Sequence, residues 1–280
     1  MKIGLLTTRF DPKDWPLERI IDWAGRNGID CLEIAVPRHL DAARLLKEGA
    51  QAALQSQCRQ AGVSICSLAY YSMKINDGDP AVRREQVAGL QATIEAAESL
   101  GVDTVCTLAG SQAPGKSKMQ TIREDLPAIF GPLLEQAAKR GVRLALENYF
   151  RTNIQHLDHW RAIFEVLPQK NFGLNYDPSH LLWQGIDYLG AVDEFAGRIF
   201  HTHAKDVAVN EAALRRLGVL ESGWWRYTIP GTGRVDWGQY LGKLREIGFA
   251  GAVSIEHEDK TLSAEAGFAM AGRFLRGLIG

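Results

Sequence analysis

The chain has 280 residues, with 32 basic and 33 acidic side chains, a formal net charge of −1 and 46% hydrophobic residues. That suffices for one large domain or two small ones, and the balanced, interspersed charge with no long basic run speaks against a non-specific nucleic-acid surface. No segment approaches the roughly 20 apolar residues of a membrane span, and the opening MKIGLLTTRFDPKDW has too short an apolar run for a signal peptide.

One pattern recurs along the chain. A helix-like stretch ends at a glycine and a β-rich run follows at once, in RNGIDCLEIAV, QAGVSICSLAY, SLGVDTVCTLAG, KRGVRLALENY and GFAGAVSIEHE. Gly28, Gly62, Gly101 and Gly141 stand where a helix C-terminus needs a left-handed residue, and they are spaced 34 to 40 residues apart, the length of one βα unit. Between them the helical period is clear. Asp79 is placed to cap, Pro80 to take the first turn, and Val87, Leu90, Ile94 and Ala97 fall on one face.

Eight strands are expected, near residues 3–8, 30–36, 63–69, 103–108, 142–147, 172–177, 199–205 and 252–256. Their near-continuous apolar character suits a parallel sheet covered by helices. An open doubly wound sheet would bring a Gly-rich nucleotide loop after the first strand, and TTRFDPKD has none. The expected fold is α/β, a single-domain (β/α)8 barrel over 1–280. A long irregular loop is expected over about 207–235, after the seventh strand, with ESGWWRYTIPGTGRVDW at its centre. The four cysteines, Cys31, Cys58, Cys66 and Cys106, form no CxxC pair, and three sit in or beside apolar runs. That is the usage of a reducing compartment, so a cytoplasmic protein is expected.

The C-terminal strand ends of such a barrel converge on one mouth. Strand five ends in Glu147, strand six in Asp177 followed by His180, strand seven carries His201 and His203, and strand eight ends in Glu256. In IFHTHAKD, His201, His203 and Lys205 share one face of the strand, with neighbours roughly 6.5–7 Å apart. Taken singly, a carboxylate past a strand is a common helix cap and a strand histidine a common core residue. Together, carboxylates crowded at one mouth repel unless a cation neutralises them. Three carboxylates and one imidazole form a hard, oxygen-rich set, suited to Mn²⁺, with Mg²⁺ or Co²⁺ as alternatives.

The Glu at the fifth strand end, DPSH at the sixth, HxHxKD at the seventh, PGxGxVDW, and SIEHED at the eighth together resemble the xylose-isomerase-like TIM barrels of the sugar phosphate isomerase/epimerase superfamily. The similarity covers nearly the whole chain. It implies one divalent metal held by Glu147, Asp177, His203 and Glu256, with His201 one layer deeper as a hydrogen-bond partner. It implies proton transfer beside a carbonyl through an enediolate, with Glu147 and Glu256 as acid and base. His180 and the rim residue Lys205 would contact substrate oxygens. Asp206 would anchor Lys205 or begin the loop.

The WWRY stretch suits a sugar. Trp225 offers a flat face to its C–H surface and Arg226 a donor to its oxygens. The expected ligand is a small-molecule sugar or keto-glycoside. No nucleic-acid or membrane partner is expected, and barrels of this type often form dimers or tetramers. The expected reaction is sugar isomerisation or epimerisation. The alternative is a lyase of the same fold, an inosose dehydratase or a 3-keto-glycoside β-eliminase of the C-glycoside deglycosidase kind. A nuclease would need further His and Glu ligands at earlier strand ends, where SLAYYS and CTLAGS supply none. A metal-free sugar-binding barrel would not need all four candidate ligands.

Overall fold

Each of the eight apolar runs forms a strand. In the computed structural model, which describes residues 1–279, they are β1 (Lys2–Leu6), β2 (Cys31–Ala35), β3 (Ser64–Tyr70), β4 (Thr104–Thr107), β5 (Arg143–Glu147), β6 (Phe172–Tyr176), β7 (Ile199–Ala204) and, after two short extra strands, β10 (Ala252–Ile255). All pair in parallel, and β1 closes on β10, with Leu5 opposite Ile255, to complete a barrel. Gly28, Gly62, Gly101 and Gly141 all have φ between 67° and 71°, so each turns the chain out of a helix through the left-handed region. The helix Pro80–Leu100 begins with the Asp79 side chain accepting from the Ala81 amide. Leu90, Ile94 and Ala97 are buried on its inner face, and Val87 is half-buried.

Strand alternation divides the residues into two layers. Outward-facing Ile3, Leu5, Leu32, Ile34, Leu68, Val105, Leu144, Leu146, Leu174, Val253 and Ile255 join the helices in the main apolar core. Inside the ring a small separate cluster holds Leu6, Ala35, Ala69, Cys106 and Ala145. The remaining interior is polar and buried: Glu33, Ser67, Asn175, His201, His203 and Ser254. A barrel interior is normally filled by bulky branched side chains. Here, Leu6 apart, the apolar members of that cluster are small, and much of the space goes to polar groups.

The segment after β7 is not the irregular loop that its composition suggests. It contains β8 (Asp206–Val209), a helix over Glu211–Leu217 and β9 (Trp225–Thr228). β8 and β9 pair antiparallel, Val207 opposite Tyr227 and Val209 opposite Trp225, forming a ribbon apart from the barrel sheet. The knot at its base is Asp206. Its Oδ1 accepts from the amides of Val207 and Val235, and its Oδ2 from those of Gly231 and Gly233 and from the Trp237 indole. A Cβ on Gly233 would collide with the Asp206 carboxylate, so the second glycine of PGTGRVDW is needed for this close approach. Asp206 therefore organises that motif and does not anchor Lys205. Among the described residues, no helix is long and apolar enough to cross a membrane.

Candidate metal and active site

The mouth of the barrel gathers the residues picked out at the strand ends. One ligand atom each from Glu147, Asp177, His203 and Glu256 lies within 4.8 Å of all the others. Glu147 ends β5. Asp177 follows β6, and its Oδ1 caps the short helix Pro178–Leu182 by accepting from the Ser179 amide. Asn148 clamps the same residue, donating to its carbonyl and accepting from its amide. The cap and the ligand roles are thus compatible: one oxygen serves the helix, while Oδ2 points into the site. Glu256 is fixed by its amide, which donates to Ala204 of β7.

His203 Nδ1 stands 3.1 Å from Glu256 Oε2 and 3.7 Å from Glu147 Oε1. Nδ1 and Asp177 Oδ2 are nevertheless buried without a well-directed hydrogen-bond partner. Buried polar atoms are rarely left so. An imidazole nitrogen and a carboxylate oxygen orphaned beside two further carboxylates match the donor set of a divalent cation, so the residues fit a metal.

The surrounding charges are tightly compensated. Burial disfavours an ionised Glu147, but the adjacent imidazoles of His180 and His203 and the nearby Lys205 charge outweigh it and hold the carboxyl far below its usual range. Burial likewise opposes charge on His203, yet Glu33, Glu256 and Glu147 raise it well above an ordinary histidine. A metal ion at this ring would compete with a proton for it. Burial works against the Lys205 ammonium too, and Asp177, Glu256 and Glu258 more than restore it.

Lys205 differs from the expected rim lysine. It is almost completely buried, with Nζ 2.6 Å from Glu256 Oε2, 3.1 Å from Asp177 Oδ2 and 3.3 Å from both Glu258 Oε2 and His180 Nε2. The strand continues inward-facing at this position, so the side chain lies over the carboxylates. His180 is also buried. Its Nε2 is 3.1 Å from Glu147 Oε1, and its Nδ1 is 2.7 Å from the Tyr227 hydroxyl.

Trp225 stacks on Trp183, with ring centroids 4.4 Å apart and planes 13° apart, and meets Phe150 edge-on. Together they make an aromatic wall beside the site. Arg226 points elsewhere. As a strand residue it alternates with Trp225 and Tyr227, and its guanidinium pairs with Asp259 at 3.0 Å. The residue that β9 delivers to the charged cluster is Tyr227, whose ring also lies under the Lys205 ammonium, 4.5 Å from its centroid.

His201 lies deeper in the barrel and contacts none of the four carboxylate and imidazole ligand candidates directly. Its partner is Glu33, at 3.0 Å. Sequence reasoning passed over Glu33, Tyr71 and Asn175. Glu33 Oε2 reaches His203 Nε2 at 3.1 Å, the Tyr71 hydroxyl donates to Glu33 Oε1 at 2.6 Å, and Asn175 Nδ2 lies 2.9 Å from His203 Nε2. The signal for Glu33 was its position, a lone carboxylate inside the apolar run CLEIAV. Glu33, Cys106 and His201 also converge. Burial, with the Glu33 charge beside it, keeps the Cys106 thiol protonated and so a poor metal ligand.

An eight-stranded barrel with three carboxylates and a histidine at adjacent strand ends defines the class of protein. The chain belongs to the xylose isomerase-like TIM barrel family, whose model matches residues 21–278. It is 28% identical over 290 residues to the uncharacterized protein YfiH of Bacillus subtilis, covering 90% of this chain and 91% of that protein. It is 29% identical over 128 residues to an inosose dehydratase of Geobacillus thermodenitrificans, covering 44% of this chain and 42% of that enzyme. Among solved structures, an IolI protein with a bound zinc atom superposes with a TM-score of 0.79 at 22% identity, covering 100% of this chain and 98% of that one.

Proposed function

We propose that the protein is a divalent-metal-dependent enzyme that moves a proton at the carbon beside a carbonyl of a ketose or keto-glycoside, as an isomerase or epimerase. The observation that carries this reading is the pair of carboxylates on either side of His203, each with its own polar partner: the His180 imidazole beside Glu147, and the Lys205 ammonium beside Glu256. Glu147, Asp177, His203 and Glu256 would hold the ion, with manganese expected from the hard donor set and magnesium or cobalt as alternatives. A bound ion would polarise the carbonyl and stabilise the negative charge that develops on its oxygen.

The protein's own groups supply the rest. One carboxylate removes the proton and the other returns it, to the neighbouring carbon or to the opposite face of the same carbon. The His180 and Lys205 partners stabilise each carboxylate as an anion, ready to accept. His180 and Lys205 also lie where substrate oxygens would enter. The Trp183–Trp225 wall packs the apolar face of a sugar and excludes water.

A lyase is the second reading. It is favoured by the likeness to inosose dehydratase over 128 residues; there the carboxyl that has taken up the proton would return it to the departing hydroxyl. The test is solvent-deuterium exchange followed by NMR, with Mn²⁺-reconstituted enzyme and a panel of ketoses, inososes and 3-keto-glycosides. Deuterium beside the carbonyl of an intact sugar supports the first reading, and its loss in Glu256→Gln assigns that carboxylate. Loss of water or of an aglycone moves the protein to the lyases. No exchange with any of these substrates by metal-loaded enzyme overturns both.

A further inference from the structure

The centre of the barrel holds a carboxylate that the proposed chemistry does not use. Glu33 sits on β2, fully buried, and reaches across the interior to β7. Its Oε2 faces the Nε2 atoms of His201 at 3.0 Å and His203 at 3.1 Å, and its Oε1 accepts from Tyr71. We infer that Glu33 is the positioning residue of the metal site: it holds the proton of His203 on Nε2, so that the lone pair of Nδ1 faces Glu147, Asp177 and Glu256. This inference rests on the metal site proposed above.

The geometry supports it from both ends of the ring. Nδ1 lies among the three carboxylates and has no well-directed hydrogen-bond partner, whereas Nε2 is enclosed by Glu33, Tyr71 and Asn175. An ionised acceptor makes the strongest hydrogen bond available to an imidazole N–H, so Glu33 decides which nitrogen carries the proton. Asn175 Nδ2 donates to the Tyr71 oxygen at 2.9 Å, so Asn175, Tyr71 and Glu33 form one connected group around the Nε2 end of the ring. Tyr71 and His201 in turn fix Glu33, one at each oxygen. His201 thus acts on the ligand His203 only through Glu33. A carboxylate behind a metal-binding histidine raises its basicity and locks its orientation, and its loss costs ~10–100-fold in metal affinity.

The test compares wild type with Glu33→Gln, Tyr71→Phe and Glu147→Gln. Metal-free proteins are titrated with Mn²⁺, with free ion read by electron paramagnetic resonance. Zn²⁺-loaded, ¹⁵N-histidine-labelled samples report the Nε2–H proton of His203 by NMR. A glutamine can turn its NH₂ toward Nε2 and so favours a proton on Nδ1. Glu33→Gln is therefore expected to bind Mn²⁺ ~10–100-fold more weakly and to shift that proton upfield. Mn²⁺ affinity within twofold of wild type, with the proton unmoved, overturns the inference. Should Glu33→Gln not fold, Tyr71→Phe, which keeps the carboxylate, decides: several-fold weaker Mn²⁺ binding supports it and wild-type binding overturns it. Glu147→Gln separates the two levels. If it binds Mn²⁺ as wild type does, the metal-site reading itself falls.

Discussion

Lys205 Nζ lies 2.6 Å from Glu256 Oε2, an ion pair shut inside the mouth of the barrel with Asp177 and Glu258 close by. A lysine so placed neutralises carboxylates that would otherwise repel, in the space where a divalent cation would serve the same end. The two cations would share one set of anions.

Lys205→Met should therefore destabilise the metal-free protein by about 3–5 kcal/mol, the typical result of stripping one partner from a buried charge pair. Mn²⁺ should restore more stability to the variant than it adds to wild type. Urea unfolding with and without Mn²⁺ measures both, and an equal metal-induced shift in the two proteins would show that Lys205 does not share the ion's role.

His203→Ala and His201→Ala should rank clearly. His203 offers Nδ1 to the carboxylate cluster, whereas His201 touches only Glu33. Metal content after dialysis against limiting Mn²⁺ should fall far more for His203→Ala. The reverse order would show that the wrong histidine has been assigned to the ion.

Asp206→Ala removes the acceptor of four amides and an indole at once. Stability should drop by about 3 kcal/mol, since hydrogen bonds to a charged group are the strong ones and their buried donors are left unpaired. Residues 207–235 should become sensitive to limited proteolysis, while Mn²⁺ affinity stays within a few-fold of wild type. Unchanged protease resistance would mean that other contacts hold the ribbon.

His159 gives the protein a specific acid sensitivity. Burial, reinforced by the neighbouring charges of His156 and Lys118, pushes its pKa down to about 4. The unfolded chain takes up this proton near pH 6.5 and the folded protein resists it. Stability from this group is full above pH 6.5 and declines as pH falls towards 4, by on the order of 1–2 kcal/mol for a group paired with a partly exposed ring. His159→Gln should flatten the change in urea midpoint between pH 7 and pH 4.5, and an identical slope in both proteins would rule the histidine out as its source.

Much of this architecture was written in local pattern. Glycine stops, apolar runs and the carboxylates behind them mark eight strands and the residues at their mouth, because a parallel strand and the helix that covers it are specified within one short stretch of chain. Glu33 escaped because its meaning lies in partners just past the end of β3 and on β7, up to 170 positions away. Arg226 and Tyr227 exchanged roles for a related reason. Their neighbours read as loop, and only once β9 pairs with β8 does alternation decide which of the two faces the site. The burial of Lys205 depended on the strand's inward direction continuing one residue beyond its hydrogen-bonded end.

β7 ends at Ala204 and β8 begins at Asp206, so a single residue, Lys205, joins the barrel to the ribbon over its mouth. The ribbon is held to the barrel mouth here and again through β9, where Tyr227 meets His180 and Arg226 pairs with Asp259, while its far end around Val219 and Leu220 is exposed. Chain between residues 210 and 224 can be lengthened, shortened or replaced while the Asp206 knot and the charges beneath it stay as they are. The protein is built like a tool with an interchangeable head: the buried charge cluster is set in the barrel, and the surface presented above it can drift at the tip.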